Sequence, residues 1–317
     1  MFRQLILVLK GIGVFYNDLK FFIENSNIDH SNNTKAKLLS TLIASYHIVE
    51  KGLSMPNRRL GFGKEAVMAL SAKCSLYAQK YGDNNDQFRY AISILKEYDD
   101  LHKQYNFTLD VDLQKSISDL IEKYNIPAAR QNQMTKDEFF AYTESSFDKF
   151  SVSRHSTRHF GGSIETAKII ESLDLAKNAP SACNKQITKS YIITKSEMIK
   201  EILDMQQGNR GFGHLIDKLI VITTQYCGCT RYSDRFYPFV DAGIYTMNIL
   251  YALHFHKIGA IPLVWLSTRE RDERLRDIIG ANKDEIPCLI VGVGDIADSV
   301  ICAHSPRKSI KETVVVC

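Results

Sequence analysis

The feature that most constrains this chain is a change in the spacing of its apolar residues near position 130. Before that point they recur at three- and four-residue intervals. "TKAKLLSTLIASYHIVEKG" sets Leu38, Leu42, Tyr46 and Val49 on one helical face, and Gly52 can stop the helix. "KEAVMALSAKCSLYAQKYG", "DQFRYAISILKEYDDLHKQYN" and "DVDLQKSISDLIEKYN" repeat the style, with Gly, Asn or Asp at their boundaries. No stretch before residue 130 reads as strand, so residues 1–130 are expected to form an all-α region, a helical bundle or arm.

Past a polar connector at 131–147 the texture changes, and β-branched runs alternate with helical patterns. Strands are expected at Ser190–Thr194, Lys218–Thr224, Ala260–Ser267, Pro287–Gly294 and Thr313–Cys317. Between them lie helices with Ser163, Ser196, Asp241 and Thr268 at their starts and Gly259 and Gly280 at their ends. Residues 148–317 therefore read as one α+β or α/β domain.

Bulk composition narrows the class. With 44% hydrophobic and 24% charged residues, the chain is an ordinary globular one. A net charge of +4 lacks the clustered basic excess of a nucleic-acid binder. The seven cysteines are scattered and odd in number, which points to a reducing compartment. In "MFRQLILVLKGIGVFYNDLKFF" the apolar run Leu5–Leu9 stops at Lys10, and no small-residue cleavage site follows. A spanning helix needs roughly 20 apolar residues. The segment is expected to be an amphipathic helix of a soluble, cytoplasmic chain, with attachment to a membrane surface the less favoured reading.

Three stretches could carry chemistry. "SRHSTRHF" (Ser153–Phe160) packs two arginines, two histidines and three hydroxyls into eight residues. In an extended segment Arg154, Ser156 and Arg158 point to one side and could converge on a phosphate. The alternative is an exposed basic turn capping the next helix. "NAPSACNKQ" (Asn178–Gln186) offers small residues for close approach, and the Asn184 and Gln186 amides suit the mixed donor–acceptor edge of a flavin; the alternative is a plain polar loop. "HSPRKS" (His304–Ser309) adds Arg307 and Lys308.

Together, "RHSTR-x-F", the later "APS-x-x-N-x-Q" and a late basic pair resemble the nitroreductase family of FMN-dependent oxidoreductases. "VDAGIYTMNILYALHFHKIGAIPLVWL" (Val240–Leu266) is similar to that family's long central helix and the strand after it. The likeness covers residues 148–317. It implies an α+β fold with a mixed sheet flanked by helices. It also implies FMN as cofactor, NAD(P)H as electron donor and a homodimer with flavin sites at the interface. Residue by residue it implies phosphate binding by Arg154, Ser156 and Arg158, with His155 alongside. Arg307 matches the late phosphate-binding residue, and Lys308 shares that work. Ser181 and Asn184 match the loop against the flavin ring, flanked by Pro180 and Gln186. Pro262 and Leu263 fall where backbone approaches the reactive edge, and Asn209, with Arg210, where a loop reaches ribityl or nicotinamide. The chain departs from the family after Gln186, where Ile187 and Thr188 stand in place of Pro-Trp, and in its added helical half.

The implied chemistry passes hydride from NAD(P)H through FMN to a small organic acceptor by a ping-pong cycle, with no side-chain nucleophile. A second reading, from another class, is a nonenzymatic flavin-fold binding protein whose helical half recruits a partner. Other features are read as structural. These are the "GVGD" turn (Gly292–Asp295), the Cys227 and Cys229 thiols, the His254–His256 pair on different helix faces, and a helix face, rather than an acid–base set, formed by His47, Glu50 and Lys51.

Overall fold

The computed structural model describes residues 2–317, with side chains from residue 4 onward. The chain forms two compact units, one reaching Asn132 and including Ala303–Cys317, the other Gln133–Cys302.

The first unit is helical: α1 (Phe2–Asn25), α2 (Lys35–Leu53), α3 (Lys64–Tyr81), α4 (Asp86–Gln104) and α5 (Val111–Tyr124). Caps set the boundaries. Thr34 accepts from the Lys37 amide, Asn85 from Gln87 and Phe88, and Asp110 from Leu113. Asn125 turns left-handed to end α5. The expected stripe of Leu38, Leu42, Tyr46 and Val49 is buried in a core with Tyr77, Phe88 and Tyr98.

The C-terminal segment joins this helical unit and is not a strand. Ile310–Thr313 makes one helical turn, and Val314, Val315 and Val316 beyond it are exposed. A β-branched run becomes a strand only where a ladder partner meets it, and this one has none in the described chain. What fixes the segment is Glu50, which is fully buried. Its carboxylate accepts from the Ser305 amide (2.7 Å), the Ser305 hydroxyl (2.9 Å) and the Tyr90 hydroxyl (2.7 Å), and meets His47 Nδ1 at 2.7 Å. Burial works to raise the Glu50 pKa, but the hydrogen bonds from His47, Tyr90 and Ser305 outweigh it and hold the group ionised.

The second unit contains β1 (Asn132–Thr135), α6 (Lys136–Phe139), α7 (Phe147–Ser153), β2 (Phe160–Gly162), α8 (Thr166–Ala176), β3 (Lys189–Ile193), α9 (Ser196–Met205), β4 (Lys218–Gln225), α10 (Tyr237–Phe255), β5 (Gly259–Val264), α11 (Arg269–Ile279), β6 (Glu285–Ile296) and β7 (Ser299–Cys302). β6 is the central strand. β4 pairs along one side of it, followed by β3, while β5 and β2 share the other side. These pairings are antiparallel, so the unit is α+β. A separate two-stranded sheet joins β1 to β7. Pro262 is tolerated within β5 because, among the described residues, β6 is the one strand that pairs with it.

Several boundaries moved. The helix expected from Asp241 starts at Tyr237, with Pro238 in its first turn, where a missing N–H costs nothing. Gly259 opens β5 instead of ending that helix, and Ser163 lies ahead of α8 rather than capping it. Thr268 and Gly280 do cap α11, the latter left-handed. The stretch read as a connector is folded, with Phe139 and Phe140 buried against Ile296, Val300 and Cys302.

Glu50→Ala should destabilise the protein by about 2–4 kcal/mol in urea unfolding, the cost of stranding buried donors. It should also speed hydrogen exchange at the Ser305 amide. Unchanged protection there would show that the carboxylate does not hold the segment.

Candidate functional site

The basic segment leaves α7 at Arg154 and runs beside the mouths of β5 and β6. The Thr157 amide donates to Ala260 O (3.2 Å), and the Ala297 amide donates to His159 O (3.0 Å). Phe160 then pairs with Ile296 at the end of β6. Arg154, His155 and Ser156 are half-buried, and Arg158 is buried with its guanidinium 5.7 Å from the Phe212 ring centre.

Two neighbours report the electrostatics of this segment. His254, near the C-terminal end of α10, is 2% exposed. Its Nε2 meets the Ser153 hydroxyl at 2.9 Å, and its ring packs among Phe139, Phe140 and Phe150. Burial first, then the charges of Arg154 and His155, push its pKa down to about 4. The Cys302 thiol is pushed up to about 12 by burial, against the pull of Arg158 and Arg154. Both arginines thus act on the buried Cys302 thiol, and Arg154 on His254 as well, in surroundings where desolvation strengthens their fields. His254 is therefore neutral at pH 7. No cluster of metal-ligating side chains occurs among the described residues.

The second predicted stretch forms a strained loop. Cys183 (φ 53°), Asn184 (φ 57°) and Gln186 (φ 50°) are all left-handed. Asp241 on α10 holds the loop, as both carboxylate oxygens accept from the Ala182 amide at 3.1 Å. The Ser181 hydroxyl accepts from the Gln186 amide (3.1 Å), and Gln186 Nε2 donates to Asn184 Oδ1 (3.0 Å). Pro180, Asn184 and Gln186 are exposed. Asp241 is the functional candidate that sequence reasoning passed over, having been assigned to a helix cap.

The remaining candidates are dispersed. Pro262 and Leu263 lie in β5, the first half-buried and the second buried. The Asn209 amide nitrogen donates to Leu203 O (2.7 Å) and Gln206 O (2.6 Å), bracing the turn after α9. Arg307 and Lys308 belong to the helical unit, where Arg307 Nη1 donates to Ser305 O (2.7 Å). Within one chain, the basic segment meets α10 at His254 and the strained loop meets it at Asp241. Thirteen residues of helix separate these contacts, about 20 Å along the axis.

The donor set fits FMN in kind. Arginine forks and a hydroxyl suit a phosphate ester, and exposed side-chain amides on a loop of small residues suit a flat heterocycle edge.

No protein-family profile matches the chain, and no curated protein matches it. Solved structures do. A nitroreductase family protein from Streptococcus pneumoniae is 17% identical, with 54% of this chain and 100% of that one covered and a TM-score of 0.48. A candidate NAD(P)H:FMN oxidoreductase from Staphylococcus epidermidis is 17% identical over 54% of this chain and 96% of its own, also at 0.48. A nitroreductase family protein from Clostridium novyi is 16% identical over 53% and 90%, at 0.44.

The depressed pKa of His254 has a testable sign. The unfolded imidazole takes up a proton below its ordinary value of 6.5, while the folded one resists until about 4. Stability present above pH 6.5 is therefore lost as the pH falls, by about 2 kcal/mol between pH 7 and pH 5. Urea unfolding at both values should show this loss shrinking in His254→Gln. An equal loss in both proteins would remove His254 from the account.

Proposed function

We propose that the second unit binds FMN and that the chain is an FMN-dependent oxidoreductase of nitroreductase type. The observation that carries this reading is the placement of Arg154 and Arg158 so that both act on one buried thiol, Cys302, with the Ser156 hydroxyl between them in sequence. The Arg154 field, with that of His155 and added to burial, holds His254 neutral. A phosphate dianion there would meet forked donors in a medium less screened than water.

FMN, when bound, would supply the redox chemistry, taking hydride from NADH or NADPH and passing electrons to a small organic acceptor. The protein's own part is binding and orientation. Arg154 and Arg158 neutralise the phosphate, Ser156 adds a hydroxyl donor, and His155 lines the same segment. In the strained loop, Ser181 fixes the backbone of Gln186, leaving the Asn184 and Gln186 amides outward for the ring's polar edge, with Pro180 rigidifying the entry. Asp241 acts through Ala182 and is a positioning residue. Pro262 and Leu263 would offer backbone carbonyls beside the ring. The cradle so built consists of residues of the second unit alone.

The same reading calls for two chains. α10 is apolar on opposite sides. Ala242, Ile249 and Leu253 face the core, while Val240, Ile244, Met247 and Phe255 are exposed. Pairing of two copies through the exposed row, with the helices running in opposite directions, would carry the His254 end of one helix toward the Asp241 end of the other. Each FMN would then take its phosphate contacts from one subunit and its ring contacts from the second, which answers the separation found within a single chain.

Purified protein should carry a yellow chromophore that NADH or NADPH bleaches without oxygen. Arg154→Gln should weaken FMN about 10- to 100-fold, the worth of a charge-assisted contact, while riboflavin, lacking the phosphate, binds as before. Equal losses for both ligands would refute the phosphate assignment, and a colourless protein that ignores added FMN would refute the function.

A further inference from the structure

α1 presents its apolar residues in a register that a partner helix would read. Leu5, Ile12 and Leu19 repeat every seven residues, as do Val8, Phe15 and Phe22, and Leu9, Tyr16 and Ile23. This is the a, d and e pattern of a core-facing helix, kept without a break across the length of α1. All nine side chains are exposed, each by more than half of its surface. Outside the stripe Ile6 is exposed, and Leu7, Val14 and Phe21 form a further row at seven-residue spacing, with Leu7 and Phe21 exposed.

The area decides whether this can be left to water. Nine large side chains, each showing on the order of 100 Å², present roughly 900 Å² of apolar surface. A stable protein–protein interface takes about 800 Å² from each partner, and monomers rarely leave a contiguous apolar patch of that size open. The polar side of the helix decides against lipid. The three basic residues of α1, Arg3, Lys10 and Lys20, are offset by two acidic ones, Asp18 and Glu24, whereas helices that lie on anionic bilayers concentrate Lys and Arg on their polar side. No helix among the described residues is long and apolar enough to cross a membrane. The seven-residue repeat, held for nearly three heptads, suits knobs-into-holes packing against a helix of the same repeat. A second copy supplies one.

We propose that α1 is a self-association element that packs its Leu5–Ile23 stripe against α1 of a second copy. This contact is separate from the α10 pairing and does not depend on FMN binding.

The test uses the full chain with p-benzoylphenylalanine in place of Phe15, irradiated in solution. A covalent dimer should form, with both ends of the cross-link mapping by mass spectrometry to residues 5–23. Adding Ile12→Glu and Leu19→Glu in the same chain should cut that product at least tenfold. The melting temperature should stay the same, because these side chains are outside the core of the first unit. A cross-link within one chain, a cross-link to another part of the second copy, or no covalent dimer would overturn the proposal. So would α1-dependent flotation of the protein with phosphatidylserine vesicles in place of the dimer. FMN affinity measured on the same variants separates this result from the flavin reading, since it should not change.

Discussion

The basic segment can lie where it does because two strands give up their side chains beneath it. A Cβ on Gly259 would meet Ile296 Cγ2 at 2.3 Å, Gly294 O at 3.0 Å and Thr157 Cγ2 at 3.2 Å. One on Gly294 would meet the Phe160 ring at 2.8 Å. Close approach of three backbones at the end of β5 and β6 is thus a steric requirement. It lets Thr157 reach Ala260 and leaves Arg154, Ser156 and Arg158 strung along a surface that the sheet holds rigid. A site on strand ends keeps its geometry better than one on a mobile loop.

Burial then makes that geometry chemically useful. The rings of Phe139, Phe140 and Phe150 close over His254, and Cys302 is buried nearby in the reach of both arginine fields. Glu285 shows what the same unit does with a purely structural charge. Buried at the start of β6, it accepts from Lys189, Tyr191 and Thr223, and its pKa is pulled down to about 2. Burial opposes that shift, and the hydrogen bonds win. A carboxylate so fully saturated has no capacity left for a ligand. The two arginines differ from it in sign and in setting.

Much of this was legible in the sequence where local pattern and tertiary environment agree. β3, β4, β5 and β6 fell where β-branched runs stood, because both faces of the central strands are buried. Thr268 and Gly280 ended α11 as their chemistry dictates. The failures share a cause. Val314–Val316 has strand propensity without a ladder partner; Glu50 shows in sequence only as part of a helix face, with no sign that Ser305, 255 positions away, arrives on it. Asp241 reads as a cap because nothing nearby in sequence shows that Ala182 will donate to it. His254 reads as one of a histidine pair because its aromatic cage comes from two other segments, Phe139–Phe140 and α7. Long-range contacts of this kind leave no periodic trace, so pattern reading finds the elements and misses the residues that position them.

The two exposed apolar rows constrain assembly in a way that neither does alone. Each is proposed as isologous, meaning that the same surface meets itself across a twofold axis. A chain with one such surface stops at a dimer. A chain with two stops there only when both contacts share one axis. With two distinct axes it builds a closed ring or dihedral particle if they intersect suitably, and an open fibre if they do not. Because the α10 contact would complete the flavin site while the α1 contact would not, the two make different demands. The first has to close for each subunit to bind its cofactor, and the second is then free to set how many such dimers are held together.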